Sequence, residues 1–197
     1  MAKATCSLDG CGAAVLARGW CSMHYARWRR TGDPYGVPVR TESERFWEKV
    51  NRRGPVPPHA SELGRCWVWT ASVDRAGYGQ FGSGGTMVRA HRYAYREARG
   101  RLPAVLDHRC HNPACVRPTH LRPASGVQNN RHRSGAPRSS STGVRGVTVE
   151  RRTGRYAAHV TDGGRQIHLG TFATVEDAAD AAAAKRAELW GTFAGLG

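Results

Sequence analysis

Residues 106–130 read LDHRCHNPACVRPTHLRPASGVQNN, and this stretch decides how the middle of the chain folds. Its local reading is a strand ending at His108, then a loop stapled by Cys110 and Cys115. A short strand at His120–Arg122 follows, and then a helix capped by Ser125. Asn129 falls about one turn into that helix. A fold-back of this kind brings His108 and Asn129 onto one face. A histidine with a near-neutral pKa can take a proton from water. A carboxamide oxygen is a hard ligand suited to magnesium, which keeps most of its waters and takes phosphate oxygens from a substrate.

The cysteines around this stretch follow metal-ligand arithmetic. Cys110, Cys115 and His120 lie at short spacing, and Cys66 is the one cysteine left to complete a tetrahedral set. His111 competes as a ligand, but it directly follows Cys110 and would strain the geometry. A second set stands at the N-terminus: Cys6, Cys11, Cys21 and His24, two knuckles with Gly10 and Gly12 around the first. The second knuckle runs into a helix-like Met23–Arg30. Residues 1–36 have so little apolar material that a metal is what can hold them together. Two four-ligand zinc sites then use all six cysteines. Disulfides or free thiols are the alternative, and disulfides need a secreted context.

Composition points to the partner. The 197 residues are 40% hydrophobic and 23% charged, as in a folded soluble protein. No apolar run reaches the roughly 18 residues of a membrane span. No apolar stretch follows Lys3, so a secretory signal is not expected. Thirty Lys+Arg against fifteen Asp+Glu give a net charge of +15, and Lys3, Lys49 and Lys185 are the sole lysines. The arginines are scattered among turns and aromatics and line no amphipathic helix. A phosphate-backed polyanion therefore fits better than a membrane surface.

Four regions emerge: a zinc knuckle at 1–36, a middle domain at 41–133, a Ser/Gly/Pro/Arg linker at 134–142, and a βββα unit at 143–197. The middle domain opens with a helix at Glu42–Val50. Strands are expected at Cys66–Ala71, Gly77–Phe81 and Met87–Ala90, then a helix at His91–Arg99. In the last unit, Val144–Val149, Tyr156–Val160 and Gln166–Leu169 read as strands. Arg152-Thr153-Gly154 and Asp162-Gly163-Gly164 are the turns between them. A helix at Val175–Trp190 follows, with Thr174 as its N-cap. The fold class is thus α+β: a small, multi-domain, zinc-stabilised protein.

Across residues 44–133 the sequence resembles the HNH, or ββα-metal, nucleases, and especially their His-Cys-box and phage homing-endonuclease branch. The resemblance rests on Cys66-Trp67 with Trp69, Gly77-Tyr78-Gly79, Arg89 with His91-Arg92, Asp107-His108 with Cys110, Asn112-Pro113 with Cys115, Pro118 with His120-Leu121, and Asn129-Asn130. It implies a general base at His108, a magnesium ligand at Asn129, and structural zinc on Cys66, Cys110, Cys115 and His120. Asp107 holds metal in some members, or else pairs with Arg109 or Arg122. Arg89, His91 or Arg92 would hold the scissile phosphate. Zinc with four protein ligands has no open position and is structural.

Residues 142–193 resemble the Apetala/ethylene-response-factor DNA-binding domain through Gly143-Val144-Arg145-Gly146-Val147, Tyr156-Ala157-Ala158, Leu169-Gly170-Thr171-Phe172 and Glu176-Asp177-Ala178-Ala179. In that family the sheet enters the major groove. The unit's charge is polarised accordingly, basic up to Arg165 and acidic beyond. The DNA-contact set is Arg145, Arg151, Arg152, Arg155, Tyr156, His159, Arg165 and His168. The combined expectation is a homing-type endonuclease of duplex DNA, monomer or homodimer, in the cytoplasm of a bacterial host of a phage or mobile element. A non-catalytic DNA-binding regulator with a degenerate nuclease domain is one rival. A structure-specific or RNA-directed nuclease is the other.

Overall fold

The computed structural model describes residues 4–36 and 40–196. Contacts divide the chain into two compact units, Met1–Glu48 and Lys49–Gly197. The composition-based boundaries at 41 and 143 fall inside these units.

In the first unit, isolated bridges Thr5–Ala14 and Ala17–Trp20 shape the two knuckles. Helix α1 (Ser22–Thr31) starts right after Cys21, which places His24 beside it. Gly32 ends the helix in a left-handed conformation, and Arg29 and Arg30 complement the negative end of its dipole. Cys6, Leu8 and Cys21 form a small buried cluster, with Trp20 and Cys11 against it. Helix α2 (Glu42–Trp47) also belongs here. Thr41 and Glu44 form a reciprocal capping box, and Phe46 is fully buried with Trp47 edge-on at 4.9 Å. This helix is shorter than expected, because Val50 turns into strand instead.

The second unit begins with β1 (Val50–Asn51) antiparallel to β2 (Val68–Trp69). The strand expected from Cys66 is reduced to two residues, since Cys66 bends away to hydrogen-bond Pro55 through its amide at 2.9 Å. The β3 (Gln80–Ser83) and β4 (Thr86–Arg89) hairpin leads directly into α3 (Ala90–Arg99). Tyr93, Ala94 and Tyr95 of α3 are buried.

Strand β5 (Val105–His108) ends at His108 as its pattern predicts. It pairs with β6 (Leu121–Ala124), His108 opposite Leu121. His120 lies in a 3-10 turn, Pro118–His120, and not in the strand expected from it. Helix α4 (Gly126–Arg131) follows, and the Ser125–Gln128 capping box fixes where it starts. Thus β5, β6 and α4 make a ββα unit with Cys110, Cys115 and His120 in its crossing loop.

The last segment forms a three-stranded antiparallel sheet, β7 (Val147–Val149), β8 (Tyr156–Asp162) and β9 (Arg165–Phe172). It is backed by α5 (Val175–Trp190), the helix expected to the residue, with Thr174 capping Asp177. Val147, Ala158, Ala178 and Ala182 form its core, and small alanines let helix and sheet approach closely. The stretch at 134–142 does not hang free at its start. Ser134 bridges Leu196 in parallel, and the Gly135 amide donates to the Leu196 carbonyl at 3.3 Å.

Candidate active site

Two four-residue clusters gather ligand atoms within 4.8 Å of one another: Cys6, Cys11, Cys21 and His24, and Cys66, Cys110, Cys115 and His120. Tetrahedral zinc, with Zn–S about 2.3 Å and Zn–N about 2.0 Å, spaces its ligands about 3.5 to 3.8 Å apart. In the first cluster, His24 Nδ1 lies 3.4 Å from Cys6 Sγ and 3.3 Å from Cys21 Sγ, and Cys11 and Cys21 sulfurs are 3.8 Å apart. In the second, His120 Nδ1 lies 3.6 Å from both Cys66 and Cys115 Sγ. His120 Nε2 donates to the Leu63 carbonyl at 2.9 Å, so Nδ1 carries the lone pair. Burial and the neighbouring Cys110 push the Cys66 thiol up to about 11, and the Cys115 neighbour and burial raise Cys110 as well. Unaided, these thiols stay protonated. A dication is what makes four close donors compatible. Every described cysteine is a free thiol.

Beside the second cluster opens a cleft of about 380 Å³ lined by Tyr78, Asp107, His108, His111, Asn129 and His132, among others. His108 and Asn129, 21 positions apart, meet here because β5 and α4 belong to one ββα unit. His108 Nε2 sits 3.0 Å from the Cys115 carbonyl. A carbonyl only accepts, so Nε2 carries the hydrogen and Nδ1 the lone pair. Burial lowers the His108 pKa to about 4, against the carbonyl bond and Asp107, which both raise it. The ring is therefore neutral near pH 7. The loop that carries Cys110 and Cys115 thus supplies the atom that sets the tautomer of His108.

Asp107 is buried, not a surface acid. Its Oδ2 accepts from Arg122 Nε at 2.7 Å and its Oδ1 from His132 Nδ1 at 2.9 Å. Burial raises its pKa, but these two donors outweigh burial and hold the carboxyl below its usual range. Asp107 keeps a lone pair on each oxygen, and Asn129 is exposed. These are hard oxygen donors of the type magnesium takes.

The three phosphate candidates separate. Arg92 donates to the carbonyls of Ala104 at 3.1 Å and Pro103 at 3.2 Å, so its guanidinium ties α3 to the segment before β5. His91 is buried 4.7 Å from the His108 ring, and its Nδ1 has no hydrogen-bond partner among the described residues. Burial, then the neighbouring His108, lowers its pKa to about 3. Arg89 is half-exposed, with its guanidinium carbon 4.4 Å from the centre of the Tyr78 ring at the cleft wall.

Two wall residues escaped the sequence reading. His132 lies three residues beyond Asn129 on the same helix face, a spacing that signals it. His111, a competing ligand by sequence, lies outside the cysteine cluster. Instead it is half-buried at φ +52° and stacks on His132 at 4.1 Å.

The C-terminal sheet sorts its candidates as well. Thr148 pairs with Ala157, His159 with His168, and Thr161 with Gln166, so these share the face opposite the core pairs Val147–Ala158 and Val160–Ile167. Arg151, Arg152 and Arg155 lie in the first turn and Arg165 opens β9, all exposed. Tyr156 packs against the core. Arg145 precedes β7 and donates to the Arg131 carbonyl at 2.8 Å. These last two contacts are internal, so they do not point to a DNA face.

The HNH endonuclease family profile matches residues 88–131, which span β4, α3, β5, β6 and α4. Residues 88–131 are thus similar to an HNH endonuclease domain, which suggests a nuclease or DNA-binding role for this part of the chain. Protein 7.7 of Escherichia phage T7 is 40% identical over 58 residues, 28% of this chain and 45% of that protein. An AP2-like ethylene-responsive transcription factor of Arabidopsis thaliana is 46% identical over 59 residues, 30% of this chain and 12% of that protein. APETALA2-like protein 2 of Oryza sativa subsp. indica is 53% identical over 45 residues, 23% of this chain and 10% of that protein. The chain therefore spans less than half the length of each of these relatives. No solved structure matches it.

Proposed function

We propose that the chain is a homing-type endonuclease that hydrolyses phosphodiester bonds of duplex DNA at a recognised site. The observation that carries this reading is the fixed tautomer of His108 in the cleft it shares with Asn129. His108 takes the proton of an attacking water on Nδ1, in line with the leaving 3′ oxygen. Arg89 beside Tyr78 would hold the scissile phosphate: it is half-exposed and only loosely paired, 3.7 Å from Asp74, whereas Arg92 is bound to two carbonyls and His91 is neutral. Asn129, with Asp107, would hold magnesium, which when bound supplies charge stabilisation at the phosphate oxygens. Zinc on the two cysteine–histidine sets is structural. The products carry 5′ phosphate and 3′ hydroxyl. The exposed sheet face and turn arginines Arg151, Arg152, Arg155 and Arg165 select the site. The phage relative fits action in the cytoplasm of a bacterial host.

The test is incubation of the zinc-loaded chain with duplex DNA and magnesium, followed by end mapping, beside His108→Ala. Wild type should cut, and the variant should lose about 100- to 10,000-fold in rate while still binding DNA. A wild-type chain that binds a site but fails to cut, whichever divalent ion is supplied, would be the non-catalytic regulator. Cutting within a few fold by the variant would put the base elsewhere.

A further inference from the structure

The short stretch after α5 returns to the back wall of the cleft. In its 3-10 turn, Gly191–Phe193, the Thr192 carbonyl accepts from Arg122 Nη2 at 3.0 Å. The Phe193 ring lies under the same guanidinium, 3.6 Å from its central carbon. That Arg122 uses its Nε on Asp107. Phe193 also meets the His132 ring edge-on at 6.2 Å, and His132 holds the other oxygen of Asp107. Both donors to Asp107 therefore rest on one aromatic side chain.

The stretch is anchored on its far side too. The Leu196 amide donates to the Arg133 carbonyl at 3.0 Å. Gly195 passes so close that a Cβ there would lie 2.5 Å from that same carbonyl oxygen. Further contacts fix the base of the turn. Arg131 pairs with Asp162, which also accepts from Trp190 Nε1 at 2.9 Å, and Arg145 reaches the Arg131 carbonyl. Arg122 and Asp107 side chains are 17% and 5% exposed, so water competes little for these bonds.

We propose that Phe193 is a positioning residue of the nuclease site: through Arg122 and His132 it sets the carboxylate of Asp107 beside His108. The C-terminal unit thereby completes the cleft in addition to any contact with DNA. This rests on the nuclease reading above for its rate consequence, but the positioning itself has an independent readout. A protonated His132 Nδ1 held on a buried carboxylate gives a slowly exchanging ring N–H signal by nitrogen-15 NMR.

The experiment compares zinc-loaded full-length wild type, Phe193→Ala and Phe193→Tyr. Phe193→Ala should lose the His132 ring N–H signal and slow single-turnover cleavage by about 10- to 100-fold, the usual effect of removing an outer-shell partner. Zinc content and DNA affinity should stay as in wild type, and Phe193→Tyr should restore signal and rate. If Phe193→Ala does not fold, Phe193→Leu keeps most of the bulk without the aromatic face and is judged the same way. An unchanged signal and rate overturn the proposal. So does a rate that falls only in step with zinc or DNA affinity. Should wild type fail to cut, the nuclease reading fails, and the NMR comparison alone decides this one.

Discussion

At the scale of single residues, the cleft is built from neutral histidines. His91 and His108 stay unprotonated in the folded chain down to about 3 and about 4, with burial the main cause in both. Unfolded, each takes a proton near pH 6.5. Between these values the unfolded state binds more protons, so folding stability is full above about 6.5 and falls as the pH drops toward 4. Each histidine contributes on the order of 1.4 kcal/mol per pH unit across that window. Urea unfolding at pH 7.5 and 5.0, with zinc content verified at both, should show the loss, and His91→Gln should reduce it. Equal stability at the two pH values would mean that these rings are not buried neutral. The nuclease rate, by the same sign, should not decline on acidification until well below the ordinary histidine range.

At the scale of elements, the loop between β5 and β6 does two things at once: it brings Cys110, Cys115 and His120 together and presents the Cys115 carbonyl to His108. Elemental analysis should find two zinc ions per chain. Cys110→Ser should cost one zinc, unfold the ββα unit and abolish cutting, whereas Cys6→Ser should cost the other and leave the cleft intact. If Cys6→Ser also loses both metals, the two sites do not bind independently. Much of this was legible beforehand. Cys110, Cys115 and His120 stand at ligand spacing, with Cys66 as the cysteine left to join them, and the four do gather in the fold. The Ser125 cap locates α4, and the Thr174 cap with its alanine stripe locates α5 to the residue. What escaped was set by contacts distant in sequence. Nothing local says that the Arg92 guanidinium is spent on the carbonyls of Pro103 and Ala104, or that Arg145 turns toward Arg131. The strand expected at Cys66–Ala71 shrank to Val68–Trp69 because its partner strand, Val50–Asn51, offers only two paired residues.

At the scale of the whole molecule, recognition and chemistry are expected to share one body. Arg151, Arg152 and Arg155 sit in an exposed turn and are not among the residues that line the cleft. Replacing all three with Ala should blur site selection and reduce the salt dependence of binding, with little change in the single-turnover rate on saturating DNA. Removing residues 140–197 should lose selection and also slow the chemistry, because Thr192 and Phe193 go with them, while the zinc of the ββα unit stays. Cleavage maps and single-turnover rates of the two variants at one salt concentration separate these outcomes. A truncated chain that cuts as fast as wild type would mean the C-terminal unit acts only as a grip.

The side-by-side course of Ser134 and Leu196 means that the chain leaves for its last sixty residues and comes back at the same spot. Such a segment behaves like a cassette on a clasp. On the function proposed above, recombination would be able to exchange it for another module, provided the newcomer closes the same clasp. A module that brings new specificity but no aromatic side chain for Arg122 would find the right site and cut it slowly. Specificity and speed in such hybrids should then be inherited together from the module, and grafting the short turn Gly191–Phe193 alone should return the speed.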